Sequence, residues 1–332
     1  MGLFVNGVLT KLKFIIINFR IKKENLKKIG ILLIHGLWEH QGRHDINASW
    51  FKNLNIDPFL MDLPGHGNNT EVFGHIEKWD EIENSVEQAY KKLNQYDIKL
   101  VFGISFGGQV GLHCILKGII DPDFLILSAP SLGDNYPQFI KTLSKSLSKF
   151  TPRLRVPSSA NKRNLSTDEQ VVKDYFDDPL VFRSITARFG GEIIESQNFV
   201  NDNINNLKTN TLYLHGDGDT IVPISSGENL SKLPNVKFIT VRNSKHEILN
   251  QDTRPFVLSE IHSWLKENSL VLPFLLQKVC NNLNFFYTFY MHVPDGFINA
   301  PVSAATGLIS LGTIWAYIRL SLIHISEPTR PY

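Results

Sequence analysis

The chain has 332 residues, 42% of them hydrophobic and 20% charged, which is enough apolar content for a globular protein with a sizeable core. Its formal net charge of +2 gives no reason to expect a nucleic-acid partner. Because Cys114 and Cys280 are the only cysteines, no disulfide framework is expected, and a reducing, cytoplasmic location is favoured.

Short apolar runs alternate with helix-like segments along the first half of the chain. The predicted strands are Leu12–Phe19, Gly30–Ile34, Asp57–Met61, Ile98–Phe102 and Phe124–Leu127. Helices are predicted at Asn47–Leu54 and Ile76–Leu93. Buried strands that alternate with helices indicate an α/β protein with a parallel sheet covered on both faces.

The alternation stops between about residues 131 and 197, where we predict an inserted helical cap. Apolar residues recur there at helical spacing from Phe139 to Phe150, and Lys141, Lys145 and Lys149 lie on another face. This basic face is either simply solvated or part of a lid that meets anionic lipid. Strands are predicted again at Thr211–Leu214 and Lys237–Val241, followed by a helix at Pro255–Lys266.

The run GISFG at residues 103–107 has the G-x-S-x-G pattern of a nucleophile elbow. It follows a predicted strand and precedes a helix-like segment, as this turn requires. The glycines leave room for strand and helix to pack closely around a serine in a strained conformation. Ser105 is therefore the predicted nucleophile.

A serine needs a base to take its proton, and the base needs an acid that holds it in the right tautomer. Both are expected later in the chain, acid first, in loops that follow strands. Asp217 and Asp219 compete for the acid, and we favour Asp219 because it lies further from the strand. His246 follows the last predicted strand and is the predicted base. Three other histidines lie within predicted elements and are interpreted as structural or solvated: His113, His215 and His262.

The tetrahedral oxyanion of such a reaction needs two converging N–H donors. The residue after the nucleophile supplies one of them, the Phe106 amide. The other is expected from the turn after the strand Gly30–Ile34, and we predict the Leu37 amide.

Six short segments resemble one family of serine hydrolases. The most specific is HGLWEHQGRH at 35–44, which resembles that family's HGxxEHxGRY signature with His44 in place of the usual tyrosine. The others are DLPGHG at 62–67, GISFGG at 103–108, DPL at 178–180, GDGD at 216–219 and KHE at 245–247. On these motifs, residues from about 12 to 266 resemble the monoacylglycerol lipase/lysophospholipase group, of the serine aminopeptidase S33 type.

The resemblance implies an α/β-hydrolase fold with a mainly parallel central sheet, flanking helices and a helical cap. It implies hydrolysis of lipid carboxylic esters with long acyl chains, with no cofactor and no metal. The expected partner is a small acyl ester, with peripheral contact of the cap with lipid surfaces. Ile104 stands where many relatives carry a histidine, a departure that concerns the substrate and not the reaction class.

Two alternatives share this fold. An aminopeptidase would use the same three residues but would need acids of the cap, such as Asp174, Asp177 and Asp178, to bind a free amine. A ligand-binding relative would keep the pocket and turn over little or nothing.

The tail differs from the rest of the chain, and we expect the hydrolase domain to end near residue 268. Residues 291–320 resemble the opening of the membrane subunit of cobalt/nickel transporters, and Phe297–Ile318 carries no charge over a length that can span a bilayer. That family chelates metal with a free N-terminal amine and a histidine, here His292, but the amine is a peptide nitrogen in this chain. The run SLIHISEPTRPY at 321–332 resembles translated sequencing-adapter sequence, so we expect residues 269–332 to be foreign to the hydrolase.

Overall fold

In the computed structural model of this chain, the residues described are 27–133, 147–157 and 164–271. Six strands lie within them: β1 Ile29–Ile34, β2 Ile56–Met61, β3 Ile98–Ile104, β4 Phe124–Ser128, β7 Asn210–Gly216 and β8 Val236–Val241. These strands form one parallel sheet in the order β2-β1-β3-β4-β7-β8. A separate antiparallel pair is formed by β5 Arg155–Pro157 and β6 Ser184–Thr186.

Helices cover both faces of the sheet. They are α1 Asp45–Asn53, α2 Asp80–Lys91, α3 Phe106–Leu116, α4 Glu169–Asp177, α5 Ala187–Asn203, α6 Glu228–Ser231 and α7 Arg254–Glu267. Along β1, Leu32 and Ile34 pack into one hydrophobic cluster, whereas Ile31 and Leu33 pack into the cluster on the opposite face. Since both faces of β1 are buried, its sequence is a continuous apolar run and not an alternation.

The strand order places a crevice between two neighbouring strands. From β1 the chain goes to β2 on one side, and then to β3 on the other side of β1. The carboxyl ends of β1 and β3 therefore diverge into loops that lead away from each other, which is where open parallel sheets bind ligands. The turn after β1 and the GISFG turn after β3 meet at this point.

The predicted sheet and its flanking helices are confirmed, with small changes in their bounds. The predicted helix Ile76–Leu93 begins later, at Asp80, and side chains accept from the amides that precede it. Glu81 accepts from the amides of residues 77 and 78, and Glu192 of α5 accepts from the Trp79 amide. The predicted strand Leu12–Phe19 lies outside the described residues.

Besides helices, the cap contains a short antiparallel pair of strands. Its described part contains the β5–β6 pair and α4, and its last helix, α5, runs past residue 197 and packs on α3. Most of the predicted amphipathic segment Phe139–Phe150 lies outside the described residues, although Leu147–Phe150 is helical. In the part of the chain that the structure describes, no helix is both long and apolar enough to cross a bilayer; Phe297–Ile318 lies outside that part.

Candidate active site

Ser105 lies in a strained turn between β3 and α3. Its backbone has φ 51° and ψ −116°, a left-handed conformation that costs energy for any residue with a Cβ atom. A Cβ atom added at Gly103 would lie 2.6 Å from the Cα of Gly108, and one at Gly107 would lie 2.1 Å from the carbonyl oxygen of Ile34. The glycines of the G-x-S-x-G pattern are therefore required by close backbone contacts on both sides of the serine.

The structure brings Ser105, His246 and Asp219 into one line of hydrogen bonds. Nε2 of His246 lies 2.8 Å from the hydroxyl oxygen of Ser105. Nδ1 of the same ring lies 2.7 Å from Oδ2 of Asp219. The three residues come from the loops after β3, β8 and β7, at the same edge of the sheet.

Asp219 is buried as an ionised carboxylate. Burial by itself would raise the pKa of Asp219, but the nearby His246 and the hydrogen bonds from His215 and His246 hold this pKa far below its usual range. Burial would likewise lower the pKa of His246, and the Asp219 carboxylate outweighs it, so this pKa lies above its ordinary value. The Asp219 carboxylate therefore stabilises the protonated form of His246, which lies next to the Ser105 hydroxyl.

The competing residues lie elsewhere. Asp217 is exposed and accepts from the Ser244 amide at 3.4 Å, which is the position of a turn residue. His113 is buried in α3, 2.9 Å from a carboxylate oxygen of Glu83, and His262 lies within α7. Of the two candidate aspartates, Asp219 is therefore the one that contacts His246.

The two predicted oxyanion donors lie on turns that are packed against each other. A Cβ atom added at Gly36 would lie 3.4 Å from Cβ of Ser105, so the turn after β1 passes directly beside the serine. The Leu37 amide belongs to that turn, and the Phe106 amide is the first of α3, where the helix dipole favours negative charge. Among the described residues, neither amide has a hydrogen-bond acceptor within the protein.

Arg43 connects the turn after β1 with the histidine loop. Its guanidinium forms two bonds of 2.9 Å with the carboxylate of Glu247 and a further bond with Glu39. Glu39 in turn accepts from the Gly36 amide at 2.6 Å and lies 3.0 Å from Nε2 of His44. This network fixes the loop that carries Leu37 relative to the loop that carries His246, and it pairs both glutamates with one positive charge.

A short stretch of the cap, Leu165–Thr167, holds the histidine loop from the other side. The carbonyl of Leu165 accepts from the Glu247 amide at 3.1 Å, and the carbonyl of Ser166 accepts from Nζ of Lys245 at 2.9 Å. The residues on either side of His246 are therefore bonded to the cap, so that a movement of this stretch would also move the histidine.

A pocket opens over Ser105 and His246, beneath the cap. Eight apolar or aromatic side chains dominate its wall: Leu37, Trp38, Ile104, Leu165, Tyr175, Ile221, Ile248 and Leu249. Its acidic residues are Glu39 and Glu247, which share Arg43. The pocket thus offers a mainly apolar surface next to the serine hydroxyl.

Two buried histidines lie in the turns after β1 and β2. His35 donates from Nδ1 to the carbonyl of Gly36 and accepts at Nε2 from the Leu63 amide. His66 donates from Nδ1 to the carbonyl of Pro64 and is packed among phenylalanine rings. Burial lowers the pKa of His35 to about 4 and the pKa of His66 to about 3.

We expect the free energy of unfolding to fall as the pH is lowered from about 7 to about 5, by roughly 2 kcal/mol for each of these two histidines. The unfolded chain takes up a proton at each of them below about pH 6.5, whereas the folded chain does not until the pH approaches the lowered values. His246 works in the opposite sense because its pKa is raised. Denaturant unfolding at several pH values measures the slope.

His66→Leu provides the control for this slope. It removes one of the two neutral imidazoles but keeps an apolar side chain among the phenylalanines. Its unfolding free energy should depend less steeply on pH than that of the unmodified chain. An unchanged slope would contradict the assignment of His66.

The sequence interpretation missed one residue that contacts the acid directly. His215, taken as structural, lies 3.2 Å from Oδ2 of Asp219. The sequence spacing contained a signal for this contact. His215 lies at the end of β7, four positions before Asp219, and the loop that carries Asp219 can fold back over the His215 side chain. The partnership of Arg43 with Glu247 had no such local signal, as 204 positions separate them.

The parallel sheet, the crevice between β1 and β3 and the elbow after β3 define an α/β-hydrolase fold. The chain belongs to the Hydrolase_4 family, described as serine aminopeptidase, S33, whose model matches residues 27–253. This confirms the resemblance carried by the motifs.

The relatives include lipid-hydrolysing enzymes. Phospholipase YtpA of Bacillus subtilis is 28% identical over 171 residues, 50% of this chain and 66% of that protein. Monoacylglycerol lipase of Mycolicibacterium smegmatis is 23% identical over 244 residues, 71% of this chain and 87% of that protein. The chain spans only 26% of a longer Dictyostelium discoideum abhydrolase domain-containing protein, which is uncharacterized and 25% identical over 244 residues.

A solved structure has the same fold. The crystal structure of Paleococcus ferrophilus monoacylglycerol lipase matches with a TM-score of 0.66 and 24% sequence identity. The match covers 72% of this chain and 95% of that one.

Proposed function

We propose that this chain is a serine hydrolase that cleaves carboxylic esters of lipids, of the monoacylglycerol or lysophospholipid type, through an acyl-enzyme. The observation that carries the proposal is the line of hydrogen bonds from Ser105 through His246 to Asp219 at the base of an apolar pocket. The phospholipase and the monoacylglycerol lipase among the relatives support the choice of lipid esters.

Each step of the proposed reaction uses a group already in place. Ser105 attacks the acyl carbonyl while Nε2 of His246 takes its proton, and Asp219 stabilises the imidazolium. The Leu37 and Phe106 amides hold the oxyanion. His246 then protonates the departing alcohol, and a water molecule repeats the cycle on the acylated serine.

The surroundings of the pocket favour an ester over a peptide with a free amine. The three cap acids that could bind an amine have partners outside the pocket. Asp178 lies 2.8 Å from Nε2 of His40, Asp177 pairs with Lys173, and Asp174 accepts from Gln170 at 2.6 Å. Glu39 and Glu247 line the pocket, but both carboxylates are engaged by Arg43.

The experiment is an ester panel that varies acyl length against glycerol and phosphocholine head groups, run beside aminoacyl amides. A fluorophosphonate probe reports separately whether the serine is activated, and Ser105→Ala serves as the blank for both measurements. We expect the unmodified chain to hydrolyse long-chain esters and the Ser105→Ala variant not to hydrolyse them. Preference for aminoacyl amides would indicate an aminopeptidase, and labelling without turnover would indicate a ligand-binding relative.

We also propose that the cap contacts lipid surfaces. Phe150 is 78% exposed, Leu154 is 49% exposed and Val156 is 40% exposed, all within one short stretch of the described cap. Lys149 lies beside the ring of Phe150. Arg153 is already paired with Glu77 at 3.0 Å, so the apolar side chains carry this proposal more than the charge does.

Vesicle sedimentation tests the contact. Binding to vesicles that contain anionic lipid should fall when Phe150 and Leu154 are both replaced by serine. Phe256→Ser is the matched control, because Phe256 is 46% exposed but lies on α7, outside the cap. Equal losses in the two variants, or no binding by the unmodified chain, would refute the proposal.

A further inference from the structure

A second imidazole touches the acid of the proposed triad. Nε2 of His215 lies 3.2 Å from Oδ2 of Asp219, and this is the oxygen that also accepts from Nδ1 of His246. His215 has no exposed surface and is not among the described residues that line the pocket. It therefore does not line the substrate pocket, and its contact with the proposed triad is through Asp219.

The neighbours of His215 determine which of its nitrogens carries the proton. Nε2 lies 2.9 Å from the carbonyl oxygen of Val222 as well as near Asp219, and both of these groups accept. Nδ1 lies 2.6 Å from the hydroxyl oxygen of Tyr213. The ring is therefore protonated at Nε2, and its Nδ1 accepts from the tyrosine hydroxyl.

Tyr213 and His215 are two residues apart on β7, so their side chains lie on the same face of the strand. A Cβ atom at Gly227 would lie 2.1 Å from the Tyr213 hydroxyl oxygen. The hydroxyl therefore fits only because residue 227 has no side chain. Burial raises the pKa of Tyr213, which keeps the hydroxyl protonated as a donor.

We propose that Tyr213 and His215 are positioning residues, a buried chain of donors that fixes the Asp219 carboxylate in the orientation that holds His246. The inference rests on the proposed function of the triad. The Ile221 and Val222 amides hold Oδ1 at 2.9 and 3.0 Å. His215 gives Oδ2 a second donor beside His246, so both oxygens have donors that do not belong to the catalytic imidazole.

The same contact moderates the basicity of His246. A donor on Oδ2 withdraws negative charge from the atom that faces the catalytic imidazole, so its removal should raise the pH at which His246 loses its proton. Among the described residues, Glu247 and Glu39 also raise the pKa of His246; both are paired with Arg43, and the neighbouring Lys245 donates to the Ser166 carbonyl. The variants below leave these groups unchanged.

The test measures the rate at which a fluorophosphonate labels Ser105 as a function of pH, alongside ester turnover. For His215→Leu, we expect labelling to be about tenfold to a hundredfold slower. The midpoint of its acid limb should move up by about half a pH unit, the size of one neutral hydrogen bond. Tyr213→Phe should show the same shifts at smaller size and guards against misfolding of the leucine variant.

Two further variants complete the test. His215→Gln keeps an N–H donor near the position of Nε2 and should restore both the rate and the midpoint. Tyr90→Phe removes another buried tyrosine hydroxyl, which donates to the Asp121 carbonyl at 2.6 Å away from the site, and should label like the unmodified chain.

An unmoved acid limb in both His215→Leu and Tyr213→Phe would overturn the inference, even if labelling fell with the folded fraction. Failure of the unmodified chain to label would overturn it together with the triad. Normal labelling without ester turnover would contradict only the proposed function, because the probe needs no natural substrate.

Discussion

Asp219→Asn is expected to lower kcat for ester hydrolysis by about 10⁴-fold and to change KM little. Asp219 accepts with both oxygens: Oδ1 takes two backbone amides, and Oδ2 takes two imidazole N–H groups. An asparagine has one oxygen, so one pair of donors must face its NH₂ group. Because the backbone amides cannot reverse their polarity, the NH₂ is expected to face the imidazoles.

The consequence falls on His246. Facing an NH₂ donor, its Nδ1 would act as an acceptor, and the proton would move to Nε2, which lies 2.8 Å from the Ser105 oxygen. A ring protonated at Nε2 cannot take the serine proton. The geometry would remain nearly intact while the base is in the wrong tautomer.

Asp217→Asn is the matched control, since it makes the same chemical change two residues earlier in the same loop. Asp217 is exposed, and among the described residues its carboxylate accepts only from the Ser244 amide, at 3.4 Å. Its kcat should remain within about twofold of the unmodified value, as for a surface substitution. A large loss with Asp217→Asn and a small one with Asp219→Asn would reverse the assignment of the acid.

The fold, and the meeting of Ser105, His246 and Asp219 at one edge of the sheet, were predictable because their signals are local. The strands of the parallel sheet each contain a short apolar stretch, and the serine, the acid and the histidine each follow such a strand in a short loop. In a parallel sheet, the carboxyl ends of the strands meet at one edge, so separate local signals converge without any long-range information. The choice between Asp217 and Asp219 also followed from their distance from the strand.

The parts that hold the site depend on contacts that no local pattern encodes. Arg43 meets Glu247 only because two loops converge across the sheet, and Leu165–Thr167 meets the histidine loop only once the cap folds back. The β5–β6 pair joins two three-residue strands across the cap, each too short to show an alternation. These contacts decide how the loops are oriented, and they had to be read from the structure.

Gly107→Ala is expected to lower the free energy of unfolding by about 3 kcal/mol or more, the upper end of the range for overpacked sites. The added Cβ atom would lie 2.1 Å from the carbonyl oxygen of Ile34 and 2.5 Å from that of His35. Both neighbours are backbone atoms at the end of β1, so no side-chain rotation relieves the contact. Either α3 moves away from the sheet, or the turn that carries Leu37 is displaced, and activity is lost with stability.

Gly111→Ala separates this contact from the effect of alanine in a helix. Gly111 lies in the same helix, but its added Cβ would meet only side-chain atoms of Val101 at 3.5 Å and Ile34 at 3.9 Å, which are ordinary contacts. Alanine is favoured over glycine in a helix by about 1 kcal/mol, so this variant should be neutral or more stable. Denaturant unfolding of both variants measures these changes in the free energy of unfolding, which should have opposite signs. If Gly107→Ala were as stable as Gly111→Ala, α3 would lie further from β1 than it does in this structure.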